Sequence, residues 1–330
     1  MPPYATMELY HSLWGKASTF FKKENFFEQI FGALQGFSCV FDTRSADTKN
    51  GSFVASVLGK ENQMVKNQIS WKIFISVFLA FAVLLAPSAS ALDRTPISWY
   101  CPPSKDHKQP IGTAEGALVE RYGGYYVDRQ HGDGNEDKVV YLTFDAGYEN
   151  GNVEKILDIL RDEQVPSAFF ILEHLVTSNQ ELVCRMAEEG HLVCNHTAHH
   201  RNMALCHTLD EFSAELSALE SVYEENTGKK MAKYYRPPEG RFTEENLQFA
   251  RELGYKTVMW SVAYADWDNA KQPSPQYAMD KLMGRMHNGA VILLHPTSET
   301  NVKILATLIA TLRADGYRFG TLDELCGNEA

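Results

Sequence analysis

The sequence predicts an α/β chain built on a parallel sheet, open or closed into a barrel. Three observations carry this. From Lys138 onward, short β-rich apolar runs alternate with helical stretches, and such alternation produces parallel strands joined by helices. Five of the runs end at or just before a residue that can carry charge or bind metal. Glycines in Glu189-Gly190-His191, Leu253-Gly254-Tyr255 and Asp315-Gly316-Tyr317 each close a helix and open a strand, as glycines just past a helix end do.

Taken in order, Val139–Phe144 is the most strand-like run and ends on Asp145. Helical stretches are expected at about 150–163 and 178–189. His191–Asn195 then ends on His196, with His200 four residues on. A helix at about 208–226 follows, with Leu209, Phe212, Leu216, Leu219 and Tyr223 forming its buried stripe. Thr208 caps it and Glu211 completes a capping box. Lys233–Tyr235 ends on Arg236, and a helix is expected at about 243–253. Thr257–Val262 is followed by Asp266 and by a helix at about 275–287. Ala290–Leu294 ends on His295, and a helix closes the series at about 299–314. Parallel strands that deliver polar groups at their C-terminal ends bring them to one face of the sheet or barrel. An acid, two histidines, an arginine, a second acid and a third histidine are therefore expected in one cleft.

The first part of the chain reads differently. Lys66 and Lys72 lead into an apolar stretch from Ile73 to Ala86, followed by Ala89-Ser90-Ala91, a small-x-small cleavage pattern. The stretch is shorter than the roughly 20 apolar residues a membrane span needs. Residues 64–91 thus read as a signal peptide starting at Met64, and residues 1–63 as a non-native upstream extension or a disordered tail. The rival reading keeps residues 1–72 as a cytosolic tail on an uncleaved signal anchor. Residues 92–137 are Pro-, Gly- and charge-rich and are expected to pack as an extension on a main domain at 138–326. An exported protein with no membrane span after cleavage follows from this layout.

Charge and cysteines narrow the partners. Of the 31 basic and 42 acidic residues, 8 and 6 fall in the first 91, so residues 92–330 carry 23 basic and 36 acidic side chains, net −13. An acidic surface argues against nucleic acid. Cys101, Cys184, Cys194, Cys206 and Cys326 are odd in number and lack Cys-x-x-Cys spacing, so they frame neither a disulfide scaffold nor a zinc knuckle.

The strand-end residues suit a hydrolytic centre. His196 and His200 at i, i+4 can present two imidazoles to one divalent ion. Asp145 can accept a proton from water, and an Arg such as Arg236 beside it keeps a buried carboxylate ionised. Asp266 can hold the tautomer of His295 and raise its pKa, suiting it to donate a proton. Tyr148, Tyr264, Trp260 and Trp267 can floor a sugar site or serve as core.

Together the segments resemble the polysaccharide deacetylases, the NodB-homology or carbohydrate esterase family 4 proteins. Thr143-Phe144-Asp145-Ala146-Gly147 is similar to the family's Thr-Phe-Asp-Asp-Gly, and His196-Thr197-Ala198-His199-His200 to its His-(Ser/Thr)-x-x-His. Arg236-Pro237-Pro238-Glu239-Gly240, Asp266-Trp267 and Leu293-Leu294-His295 match the remaining motifs in order. The wording of Phe144–Gly151, Trp260–Ala263 and Ile97–Tyr100 resembles the branch of δ-lactam-biosynthetic de-N-acetylases of spore-cortex peptidoglycan.

The resemblance implies a distorted parallel (β/α) barrel and metal-assisted de-N-acetylation of N-acetylmuramic acid, leading to muramic δ-lactam. It implies Asp145 as general base, His295 as general acid, Arg236 and Asp266 as their orienting partners, and His196 and His200 as ligands of a divalent metal, zinc first. Tyr148, Pro237 and Trp267 would bind the substrate, a peptidoglycan glycan strand on the outer side of the membrane. Ala146 stands where the family has a third metal ligand, leaving that place to water, to Glu149 or to nothing. Two other readings stand beside this one: a deacetylase of N-acetylglucosamine or acetyl xylan, and a catalytically silent glycan-binding module.

Overall fold

The computed structural model describes residues 92–102 and 104–327; the expected upstream segment 1–63 and signal peptide 64–91 lie outside the described residues. In chain order the strands are β1 (Ile97–Ser98), β2 (Lys138–Ala146), β3 (Ala168–Ile171), β4 (Leu192–Asn195), β5 (Ala232–Tyr235), β6 (Arg241–Phe242), β7 (Lys256–Thr257), β8 (Ala290–Leu294) and β9 (Tyr317–Phe319). The helices are α1 (Ala114–Arg121), α2 (Val153–Asp162), α3 (Glu173–Ser178), α4 (Gln180–Glu188), α5 (Leu209–Thr227), α6 (Glu244–Glu252), α7 (Pro275–Met283), α8 (Glu299–Ala314) and α9 (Leu322–Leu325).

Parallel strands run in the order β7-β5-β4-β3-β2-β8. β2 holds the centre because it is long and buried on both faces, the pattern of a strand covered by helices outside and core inside. Its residues alternate between two clusters. Val140, Leu142, Phe144 and Ala146 join the layer against the helices. Val139 and Tyr141 join Ala168, Phe170, Cys194, Tyr234, Val258 and Val291, contributed by successive strands. That second cluster is the barrel interior. Along one edge β2 pairs with β8, and along the other with β9 at Lys138–Val140 and with β3 at Thr143–Ala146.

Thr257–Val262 does not form the single strand the sequence suggests. Only Lys256 and Thr257 pair with β5, and the backbone then changes partner. Val258 N–H still donates to the Tyr235 carbonyl at 2.8 Å, whereas Val262 bridges to Ile292. This crossing segment spans the gap between the two outer strands, closing the distorted (β/α) barrel the sequence resemblance implied.

Helix boundaries shift for local reasons. α2 begins only at Val153 because Gly151, at φ +88°, turns the chain first. α7 stops at Met283, and the chain continues through Gly284 to Arg285. The stretch at 178–189 is preceded by a separate short helix, α3. α5 buries Phe212, Leu216, Leu219 and Tyr223 of the expected stripe, with Leu209 only half-buried. The Thr208 hydroxyl accepts from Glu211 N–H, but the Glu211 carboxylate accepts from His207 N–H instead of Thr208 N–H, so the capping box is half formed. None of the helices among the described residues is long and apolar enough to cross a membrane, and all five described cysteines are free.

Residues 92–137 are threaded into the fold. β1 pairs antiparallel with β6. Trp99 is buried, sits edge-on to Tyr126 at 5.0 Å and donates its indole N–H to the Trp260 carbonyl at 2.9 Å. With Val119, Val127, Phe242, Leu247 and Met259 it forms a third cluster beside the barrel. Replacing Trp99 by Ala should cost about 3 kcal/mol, the usual penalty for emptying a large aromatic site. Urea unfolding followed by far-ultraviolet circular dichroism measures this; an unchanged midpoint would show that the segment carries no stability.

Candidate active site

Strand parity decides what faces the cleft. On β2, Thr143 and Asp145 share the inward side with Val139 and Tyr141. Arg236 follows β5 on the inward side with Tyr234 and is fully buried, 0 % exposed. Its guanidinium lies 4.1 Å from the centre of the Phe170 ring. A buried guanidinium requires partners for its donors, and these are present. Nη1 donates to Asp145 Oδ1 at 2.7 Å, Nη2 to Thr143 Oγ1 at 2.9 Å, and Nε to the Val258 carbonyl at 2.9 Å.

Asp145 is thereby held in a defined state. Burial pushes its pKa up, but Arg236 first, then His196 and His295, outweigh burial and hold the carboxyl below the ordinary value. It is ionised at neutral pH.

His196 and His200 sit on a tight loop after β4 rather than on a helical turn. Thr197 and His200 adopt φ +72° and +54°, the left-handed region that costs a non-glycine residue energy and clusters at functional sites. Asn195 steadies the loop: its side-chain Oδ1 accepts from Thr197 N–H at 2.9 Å, while its side-chain amide donates to the Leu216 carbonyl and the Tyr255 hydroxyl. The two imidazoles meet edge-on with centroids 5.1 Å apart. His196 Nδ1 donates to the Arg236 carbonyl at 2.9 Å, leaving Nε2 with its lone pair 3.6 Å from Asp145 Oδ2. Burial lowers the His196 pKa to about 4 against the pull of Asp145, so the ring is a neutral nitrogen donor.

These two imidazoles suit a divalent metal, one of them with its second nitrogen fixed by a backbone carbonyl, as ligating histidines usually are. Among the described residues no third side-chain donor gathers with them. Ala146 turns its methyl into the outer core. Glu149 accepts from Gly151 N–H and does not line the cleft. Among the described residues no three His, Cys, Asp or Glu side chains gather tightly enough to enclose an ion. The donor set fits a cation held by two nitrogens with its other positions open.

His295 follows β8, the strand paired with β2, and so stands beside Asp145. Its Nδ1 donates to Asp266 Oδ1 at 2.7 Å and its backbone N–H to Oδ2 at 2.8 Å. Asn301 adds a third donor to Oδ2 at 2.6 Å. Burial lowers the His295 pKa, but the buried Asp266 carboxylate, with Asp145 behind it, raises it above the ordinary value. Nε2 is left free in the cleft.

The cleft holds about 930 Å³, and Asp145, His196, His200 and His295 all line it. Tyr148 and Trp267 do so as well, both exposed. The Tyr148 hydroxyl accepts from Asn269 at 2.6 Å, and Trp267 is edge-on to His295 at 6.4 Å. Pro237 is not on the wall. It is buried, and its carbonyl accepts from Gly240 N–H in a turn that presents Glu239 and Gly240 instead. Thr143 stood in sequence only as the first residue of a motif, with no role assigned to it, and Asn301 was missed, because an Asn in a helix carries no motif signal. Asn301 was detectable only as an Asn inside a helix's apolar stripe.

Comparison with known proteins agrees with this geometry. The family model for polysaccharide deacetylases matches residues 132–258. The chain is 39% identical over 248 residues to the peptidoglycan-N-acetylmuramic acid deacetylase PdaA of Bacillus subtilis, covering 74% of this chain and 92% of that protein. The solved structure of Bacillus subtilis PdaA, described as a family 4 carbohydrate esterase, superposes with TM-score 0.66 at 36% identity, covering 72% of this chain and 99% of that one. A family 4 carbohydrate esterase from Bacillus anthracis gives TM-score 0.59 at 33% identity, covering 73% and 100%.

The His295–Asp266 pair makes two measurable claims. Asp266→Asn removes the charge that raises the imidazole pKa and keeps the burial that lowers it. NMR titration should therefore place His295 below the ordinary value of 6.5 in the variant and above it in the parent. Because the folded pKa is raised, the pair's stabilisation is complete below the unfolded imidazole's pKa. It is lost as pH rises through the folded pKa. Urea unfolding across that window should show the parent losing stability with pH and Asp266→Asn staying flatter.

Proposed function

Since the chain belongs to the polysaccharide deacetylase family, whose members are metal-dependent hydrolases, we propose that it removes the N-acetyl group of N-acetylmuramic acid in peptidoglycan. One observation carries the reading: two titratable groups face one cleft with their pKa values pushed apart in the sense that acid–base catalysis requires. Its Bacillus subtilis relative is named for that substrate.

In this reading Asp145, kept ionised by Arg236, takes the proton of the water that attacks the acetamide carbonyl. His295, kept protonated by Asp266, gives its Nε2 proton to the departing nitrogen. The C–N bond breaks, and the products are acetate and a free amino sugar. His196 and His200 would hold a divalent cation, zinc first, which supplies a Lewis acid that acidifies water and polarises the carbonyl. Tyr148 and Trp267 offer exposed faces on which sugar rings stack. The freed amine then closes on the lactyl carboxyl, whose C–O bond breaks with release of water, to give the muramic δ-lactam of spore cortex. The enzyme works on the outer side of the membrane, exported by the signal peptide at 64–91, with the deacetylase domain at 138–326 and residues 92–137 as its packed extension.

The test is acetate release from peptide-free peptidoglycan glycan, with Zn²⁺, Mn²⁺ or Co²⁺ added in turn. Asp145→Asn and His295→Ala should each lower turnover by about 10²–10⁴-fold, the usual share of a positioned acid or base. The parent's pH profile should rise with ionisation of Asp145 and fall as His295 loses its proton above its raised pKa. No acetate under any of the three metals would remove the proposal.

A further inference from the structure

Four residues of fixed charge line the cleft: Asp145, Glu239, Lys281 and Arg285. The two acids are already matched, Asp145 with Arg236 at 2.7 Å and Glu239 with Arg241 at 3.2 Å. Lys281 on α7 and Arg285 just beyond it are not. Neither forms an ion pair with any carboxylate among the described residues.

Neutral neighbours hold both cations. The Lys281 ammonium lies 5.3 Å from the centre of the Tyr277 ring. Arg285 is half-buried against the Cys101 thiol. That thiol donates to the Ser261 carbonyl at 2.7 Å, and Ser261 N–H donates in turn to Val291 of β8. Arg285 is thus tied to the strand whose end carries His295. Two unneutralised cations on the wall of a concave site, in a chain of net charge −11, attract an anionic ligand group.

We propose that Lys281 and Arg285 form a carboxylate-binding subsite that seats the lactyl carboxylate of a muramic residue and so selects it over N-acetylglucosamine. The inference rests on the muramic reading of the cleft and deepens it. The lactyl ether is what distinguishes the two sugars, and its carboxylate is what a cation can read. An Arg can clamp a carboxylate with two parallel hydrogen bonds while a Lys adds a mobile point charge. The carboxylate can belong to the reacting sugar or to a neighbouring muramic residue, because a cleft of about 930 Å³ lies at the upper end of small-molecule sites.

The experiment measures binding first, by calorimetry in the turnover-deficient Asp145→Asn protein. The ligands are a disaccharide with one muramic residue, a tetrasaccharide with two, and neutral chitotetraose. Adding Lys281→Gln and Arg285→Gln should weaken muramic binding relative to chitotetraose by at least about tenfold, the loss of one charge-assisted hydrogen bond. Arg285→Lys should retain part of the preference. Equal loss on disaccharide and tetrasaccharide assigns the subsite to the reacting sugar, and loss on the tetrasaccharide alone assigns it to a neighbour. Equal weakening of all three ligands, or of none, overturns the proposal, as does a parent without muramic preference. Acetate release by the parent separates the two readings. No acetate with the preference intact sinks the catalytic reading alone, and acetate with no effect of the double substitution sinks the subsite alone.

Discussion

The Arg236 guanidinium is the constraint on which the rest of the cleft depends. A full charge with no solvent exposure is tolerated only if its donors and its charge are answered locally. Here the answers come from separate elements: Asp145 and Thr143 on β2, and the Val258 and Met259 carbonyls on the crossing segment. Its own backbone extends the network. The N–H donates to the carbonyl of Asn195 at the end of β4, and the carbonyl accepts from His196. One side chain therefore fixes the register of β2, β4, β5 and the closure of the barrel. The same residue holds Asp145 ionised and, through its carbonyl, sets the tautomer of His196. Thr143 completes the circuit by donating to the Ile292 carbonyl on β8 while accepting from Arg236. Stability and chemistry are not separable at this point, since any loosening that admitted water to the guanidinium would weaken its hold on Asp145.

The two catalytic candidates show how one cleft supports opposite proton affinities. Burial alone would neutralise both, raising a carboxyl and lowering an imidazole. Each is given a partner of the charge that reverses this. Asp145 has a cation that cannot lose its proton. His295 has Asp266, which accepts three hydrogen bonds and is itself buried. Asn301 matters because it binds both the Asp266 carboxylate and the His295 carbonyl, locking donor and acceptor into one unit. The pairs also feel each other, for Asp145 contributes to the raised His295 pKa and His295 to the lowered one of Asp145. Such coupling makes the cleft most polarised when the base is charged and the acid protonated, the state from which hydrolysis starts.

The parts of this arrangement that were legible in sequence are those written in local pattern. β2, β4, β5 and β8 are short apolar runs, and each places its terminal polar residue where a parallel strand must place it. The partner change after Thr257 was not legible, because an irregular crossing segment and a strand share the same composition. β3 and β9 escaped notice since neither ends on a polar residue that advertises it. Pro237 was expected at the substrate because its motif surrounds Arg236, yet proline's fixed φ serves the turn and leaves Glu239 and Gly240 facing the cleft. The role of Trp99 was invisible for another reason. Its partners Tyr126, Gly240 and Trp260 are distant in sequence, and composition marks residues 92–137 as loop.

Ala146 limits the candidate metal site by having no donor atom. Successive residues of a strand point to opposite faces, so with Asp145 directed into the cleft the next side chain begins on the helix side. There its methyl is sealed with Phe144 and Leu142 in the outer core. A side chain of this size lets β2 pack to its final residue, and it supplies no donor. Catalytic zinc usually keeps three protein ligands; two imidazoles hold a cation less tightly, and more of its coordination is left to water and substrate. Charge stabilisation then falls more heavily on groups the chain holds permanently. Arg236 fixes the negative base on β2, and the Asp266-bound imidazole supplies a proton at the end of the neighbouring β8. In a cleft organised this way both pairs take their charge from partners that the chain itself supplies.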